Sequence, residues 1–168
     1  MDPMALVAQP RDPYISCLTW LARRELSEHQ IRRRLQARDV PAGILEEVVV
    51  RLRRAGALDD LRTARACART HALVKHRGPH RVARELDALG IDRAIAAQAM
   101  REVFGQTDEQ DLIARLLDRR LARQGHVIRD RGEYRRLYGY LLRQGFTASA
   151  VRASLHARAR PAAAPEEE

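Results

Sequence analysis

Six apolar positions, Ile31, Leu35, Val40, Ile44, Val48 and Leu52, are matched by Val82, Leu86, Ile91, Ile95, Ala99 and Val103, each displaced by 51 residues. A fainter copy follows 55 residues later at Leu137, Leu141, Phe146 and then Ala150 or Val151. Self-similarity at a fixed period means one supersecondary unit built more than once, with neighbours sharing buried surface. No stretch alternates with period two over strand length, and Val48-Val49-Val50 lies inside a helical stripe running through Ile44, Val48 and Leu52. The pattern predicts an all-α chain of three tandem three-helix repeats forming an elongated, curved solenoid. Stacked repeats of this kind present long surfaces, and such surfaces bind other macromolecules.

Local signals place the helices. Asp12-Pro13 reads as an N-cap and a first helical position, and the first helix is expected from Pro13 to Glu25 with Ile15, Leu18, Leu21 and Ala22 inward. Ser27-x-x-Gln30 is a capping-box pattern opening the second helix. Val40-Pro41 breaks the chain and starts the third, which ends near Gly56. Asp60 is expected to cap a fourth helix carrying Leu61, Ala64, Ala68 and Ala72 and stopping at Gly78. Pro79 opens the fifth, which ends at Gly90; Asp92 caps the sixth, which ends near Gly105.

Thr107-x-x-Gln110 is a second capping-box pattern, opening a helix with Leu112, Ile113, Leu116, Leu117 and Leu121. Gly125 to Gly132 is the longest internal break and accounts for the wider third spacing. The eighth helix carries Tyr134, Leu137 and Leu141; the ninth follows Thr147 with Val151 and Leu155. The expected organisation is a flexible leader at 1–11, repeats at 12–57, 58–106 and 107–160, and a disordered acidic tail at 161–168.

Aromatic residues are only 4% of the 168, so the cores should be small and helix-lined. The net charge is +9, and all but one of the 31 basic residues are arginine, the exception being Lys75. A basic surface fits nucleic acid, a nucleoprotein complex or an acidic membrane. Cys17 and Cys67 have no C-x-x-C spacing and read as small buried hydrophobes in a reducing cytosol. No segment has the 18 apolar residues of a membrane span, and residues 1–10 lack the pattern of a signal peptide.

Chemistry-bearing constellations are sparse. His71, His76 and His80 invite a metal reading, but Gly78-Pro79 interrupts the helical spacing and no fourth ligand is near in sequence. Asp59-Asp60 reads as a turn and cap. No phosphate loop, dinucleotide fingerprint or Ser-His-Asp set is present, so no enzyme activity, cofactor or metal is expected. The basic residues are better organised. Arg32, Arg33, Arg34 and Arg38 fall on the outer side of the second helix; Arg81 and Arg84 flank the apolar face of the fifth. Arg115, Arg119 and Arg120 lie along the seventh, and Arg135, Arg136 and Arg143 along the eighth. Arg53, Arg54 and Arg123 serve equally well as complements to helix C-termini. The others form a repeated basic stripe suited to a regularly spaced polyanion. Trp20 and the tyrosines lie mostly at core spacing, so stacking of bases on exposed rings is not expected.

Leu58-Asp59-Asp60 before an Ala64-bearing helix, followed by Gly78-Pro79, Arg84-Glu85-Leu86 and Gly90-Ile91, resembles the central repeat of the RecX family. Trp20-Leu21-Ala22-Arg23-Arg24 through Ser27 and Ile31-x-x-x-Leu35 resembles that family's N-terminal repeat, and Gly145-Phe146 its third, so the likeness covers about residues 14–158. The resemblance implies three tandem three-helix repeats and a non-enzymatic regulator, mainly an inhibitor, of the RecA recombinase. Such a protein lies in the groove of the RecA–DNA filament and limits its growth or stability, reducing ATP hydrolysis, strand exchange and coprotease activity. It implies a cytoplasmic monomer in DNA repair, homologous recombination and the SOS response, with weak phosphate-directed DNA contact and no membrane partner.

Two positions depart from the family pattern. Thr63 stands where an aromatic is usual, and Asp39 stands where the other repeats have Gly90 and Gly145. These loosen the packing inferred for the first two repeats. No invariant binding motif transfers, so the candidate residues rest on the basic stripe. The competing reading is a helical-repeat protein that binds DNA directly and acts by competing for it.

Overall fold

A computed structural model describes residues 12–122 and 125–160; the expected leader, the acidic tail and Arg123 lie outside the described residues. Among these residues the regular structure is helical: α1 (Pro13–Leu21), α2 (Glu28–Gln36), α3 (Ala42–Arg54), α4 (Asp60–Arg69), α5 (Pro79–Ala88), α6 (Arg93–Phe104), α7 (Glu109–Leu121), α8 (Arg131–Gln144) and α9 (Ala148–His156). A π-helical turn, Thr70–Val74, extends α4. The fold is all-α, and the described residues fall into two compact units divided between Thr63 and Ala64.

In the first unit α3 packs against α1 and α2. Cys17, Leu26, Ile31, Leu35, Leu45, Val48, Val49, Leu52 and Leu58 form the core. The expected capping box is present. The Gln30 amide donates to Ser27 Oγ at 3.2 Å, and the Ser27 amide donates to Gln30 Oε1 at 3.2 Å. Leu26 and Ile31 flank that box inside the core, in the arrangement that fixes the chain's entry into a helix. Helix α1 ends at Leu21 rather than Glu25, because the chain turns to place Leu26 in the core.

Three residues expected inward are exposed: Ile15 at 54%, Ile44 at 45%, and Ala22, which lies past the end of α1. At 100° per residue, Ile44 lies about 90° from the centre of the stripe that Leu45, Val48, Val49 and Leu52 bury, so it falls off the core face. Helix α1 buries Ser16 and Cys17 instead of Ile15. The cap of α4 is Asp59, not Asp60: Asp59 Oδ1 accepts from the Arg62 amide at 3.0 Å. Asp60 Oδ1 accepts from the Glu28 amide at 2.8 Å, joining the start of α4 to the start of α2. Thr63 is buried, and its hydroxyl donates to the Asp59 carbonyl at 3.0 Å.

In the second unit Ala64, Ala68, Ala72, Val82, Leu86, Ile91, Ala99 and Val103 form one cluster. Leu112, Ile113, Leu117, Leu121, Ile128, Tyr134, Leu137, Leu141, Phe146, Ala150, Val151 and Leu155 form another, and Phe104 packs against both. The alanines of α4 bring helices close and explain why so few large side chains suffice. Helix α4 does not run to Gly78. It gives way to the π turn and ends at Lys75, with His76 in the left-handed region at φ 47°. Helix α7 is capped by Asp108, whose Oδ1 accepts from the Gln110 amide at 2.9 Å; the Thr107 hydroxyl instead donates to the Val103 carbonyl.

The break after α7 ends sooner than Gly132, because Asp130 caps α8 by accepting from the Glu133 amide at 2.8 Å. Its Ile128 is fully buried and forms an isolated parallel bridge with Ala159. Thr147 caps α9, and its amide and hydroxyl both donate to the Glu109 carboxylate in the first turn of α7. Asp39, Gly90 and Gly145 all adopt positive φ, at 55°, 68° and 90°. The aspartate therefore fills the same backbone role as the two glycines, and Asp is among the few other residues that tolerate it.

Candidate interaction surface

The arginines of the expected stripe have different fates. Arg32 is not free on an outer side. Its Nε donates to Glu28 at 2.8 Å and its fork closes on Glu46, leaving the side chain 29% exposed. Its hydrogen bonds to Glu46 and Glu28 push the guanidinium pKa up. Glu28 also meets Arg53, so these four side chains form an internal network joining α2 and α3. Arg34 and Arg38 lie over the Trp20 ring at 5.3 and 4.6 Å, and Arg51 lies over Tyr14 at 3.8 Å. Arg120 covers Tyr140 at 4.4 Å. Trp20, Tyr14 and Tyr140 therefore sit at core margins as platforms for guanidinium groups, an arrangement the spacing alone did not reveal.

Arg33, Arg84, Arg115, Arg135, Arg136 and Arg143 are exposed, and none forms an ion pair with the described residues. Arg119 is exposed and donates from Nε to the Arg115 carbonyl at 3.4 Å. Burial, with Arg119 and Arg115 nearby, lowers the pKa of His76.

Three of the expected residues meet. Arg81 and Arg84 from α5 and Arg143 from α8 line a cleft of about 730 Å³ together with Glu85 and Leu142. Its position follows from an end-to-end junction of the two helices. The Gly78 amide donates to the Gln144 carbonyl at 2.9 Å, and the His80 amide to the Gly145 carbonyl at 3.0 Å. The unpaired amides that open α5 thus satisfy the unpaired carbonyls that close α8, so the positive end of one helix meets the negative end of the other. An Arg81 Nη1 donates across the junction to the Arg143 carbonyl at 3.3 Å. The contact needs two glycines: a Cβ at Gly78 would overlap the Gly145 carbonyl, and one at Gly145 would overlap the Arg81 backbone.

Glu85 organises the inner wall. It accepts from Arg77 at 2.6 Å and lies 3.8 Å from both Arg81 Nε and His71 Nδ1. Burial and the Lys75 charge lower the pKa of His71, holding its ring towards the neutral form. His71, His76 and His80 do not assemble: among the described residues no group of three or more His, Cys, Asp or Glu side chains could hold a metal ion. Within the same residues no helix is long and apolar enough to cross a membrane. What the cleft offers chemically is two guanidinium groups, those of Arg84 and Arg143, with no ion pair among the described residues, beside an exposed leucine.

Residues 14–52 match the family model of the first three-helix domain of RecX, and residues 59–100 that of the second. A regulatory protein RecX from Trichlorobacter lovleyi is 31% identical over 147 residues, spanning 86% of this chain and 94% of its own. One from Xanthomonas campestris pv. campestris is 32% identical over 140 residues, spanning 83% of each. One from Geobacillus kaustophilus is 32% identical over 142 residues, and the chain covers about half of it, 52%. The crystal structure of RecX from Lactobacillus salivarius superposes with a TM-score of 0.74 at 20% identity, covering 86% of this chain and 93% of that one, a likeness of fold.

Proposed function

The chain belongs to the RecX family, and from that membership we propose that it is a non-enzymatic regulator, mainly an inhibitor, of the RecA recombinase. In this reading it binds as a monomer in the groove of the RecA–DNA filament, in the cytoplasm, and limits filament growth or stability. ATP hydrolysis, strand exchange and coprotease activity fall as a result, which places the protein in DNA repair, homologous recombination and the SOS response. The repeats at 12–57, 58–106 and 107–160 would each meet a part of that repeating polymer.

The observation that carries this reading is the meeting of Arg81, Arg84 and Arg143 on one open cleft, in a chain related across most of its length to regulatory proteins of this family. Arginine forks suit both acidic side chains and phosphate, the two anionic surfaces that a protein–DNA filament presents.

The test is a titration of the DNA-dependent ATPase of the organism's own RecA, with this protein added from far below to equal stoichiometry. Inhibition at low ratios indicates action at filament ends, and inhibition only near saturation indicates coating of the groove. No effect at any ratio refutes the reading. Direct competition for DNA is distinguished by tight binding to bare DNA at physiological salt, which the filament reading does not require.

A further inference from the structure

The cleft at the α5–α8 junction has features that a phosphate-binding surface does not need. Leu142 is 37% exposed and shares the lining with Arg81, Arg84 and Arg143. Glu85 places a carboxylate in the same wall, held by Arg77 at 2.6 Å and within 3.8 Å of Arg81. A nucleic-acid backbone is a dense, regular row of charge, about one per 1.7 Å of duplex axis, so phosphates tracking through the cleft would pass that carboxylate. Covering Leu142 with phosphodiester gains nothing, because burial is favourable only against apolar surface. A carboxylate can instead be forked by Arg84 and Arg143 while an apolar side chain beside it covers the leucine.

The cleft is also held in shape before anything binds. Gly78, Pro79 and His80 are pinned to Gln144 and Gly145 by two backbone hydrogen bonds, so α5 and α8 present their arginines from a fixed junction. Little ordering is then required on binding. Arg33, Arg135 and Arg136 stand exposed, which leaves other positions for phosphate.

We propose that this cleft receives an acidic polypeptide segment of the partner, with a carboxylate between Arg84 and Arg143 and an apolar side chain over Leu142, and that it does not receive the DNA backbone. The inference rests on the functional reading above and assigns this cleft to the protein component of the filament.

The experiment compares equilibrium binding of the full chain to two probes across a salt series. One is a filament of the organism's RecA on single-stranded DNA, held with a slowly hydrolysed ATP analogue; the other is the same DNA without RecA. The variants are Arg84→Glu with Arg143→Glu, and Leu142→Ala, with Arg84→Gln/Arg143→Gln replacing the reversal if circular dichroism shows lost helicity. Filament affinity should fall at least tenfold in the arginine variant and about fivefold in Leu142→Ala, while affinity for bare DNA changes less than threefold. The proposal is overturned if bare-DNA binding weakens in step, its salt slope dropping by about 1.4 for two lost single-strand phosphate contacts. It is overturned equally if Leu142→Ala leaves filament binding unchanged. Unaltered variants of a parent that binds the filament refute this inference alone; a parent that never binds the filament refutes the functional reading as well.

Discussion

Three alanine substitutions separate the two demands placed on glycine in this chain. Gly56 has φ 65° with nothing within 4 Å of a built Cβ, so Gly56→Ala meets only the left-handed backbone penalty, about 1–2 kcal/mol. Gly78 has φ −72°, where alanine is at ease and would ordinarily stabilise by about 0.4–1 kcal/mol. Its Cβ, however, would overlap the Gly145 carbonyl and the Phe146 amide, all backbone atoms. Relief requires α5 to part from α8. That loses the Gly78–Gln144 and His80–Gly145 hydrogen bonds, about 1 kcal/mol each, and leaves groups unpaired at additional cost. Gly78→Ala should therefore destabilise the second unit by about 3 kcal/mol. Gly145→Ala, at φ 90° and overlapping Arg81, combines both effects and should cost about 4 kcal/mol. At roughly 4–8 °C per kcal/mol for a unit of this size, Gly78→Ala should lower the melting temperature by about 15 °C. Urea unfolding followed by circular dichroism, with hydrogen exchange at the His80 amide, makes the measurement. If Gly78→Ala costs no more than Gly56→Ala, the helix ends do not meet as closely as described.

Other consequences are open to direct measurement. Arg32→Glu sets a third carboxylate beside Glu28 and Glu46 and should lower the melting temperature by several degrees, whereas Arg33→Glu should leave it unchanged; a thermal scan decides. The Arg65 fork pulls the Glu102 carboxyl down to about 2. A depressed carboxylate contributes stability that is present above its ordinary range near 4.5 and is lost as pH falls towards 2. Carbon-detected titration should show that low value, and Arg65→Gln should return it towards 4.5. Burial pushes the Cys17 thiol up to about 11 and raises Cys67 as well, so both should react slowly with a disulfide reagent at pH 8 until the chain is unfolded. Fast native labelling of Cys17 would contradict its burial.

Punctuation that depends on neighbouring residues was legible in the sequence. Asp12, Ser27, Asp92 and Thr147 cap their helices as the local pattern requires, because each cap involves only the next few residues. Where two candidates stand side by side, the choice was not local. Asp60 gives up the cap to Asp59 because the Glu28 amide, 32 residues away, takes its carboxylate. The π turn after Arg69 and the left-handed His76 carry no comparable signal. Gly78 and Gly145 were readable as a helix start and stop, but their contact is a tertiary event. For the same reason Arg81, Arg84 and Arg143 could be named from sequence while their meeting could not. The pairing of Arg32 was equally out of reach, because Glu46 stands on the next helix.

The bridge at Ile128 has a temporal consequence. The Ile128 amide donates to the Arg158 carbonyl at 2.9 Å, and the Arg160 amide donates back to the Ile128 carbonyl at 3.2 Å. Ile128 is fully buried in the cluster that α7, α8 and α9 enclose. During synthesis that clasp cannot close until Arg160 has left the ribosome, whereas α1, α2 and α3 emerge well before and can pack as their own unit. The nascent chain can therefore pack its first unit while the clasp around Ile128 is still open.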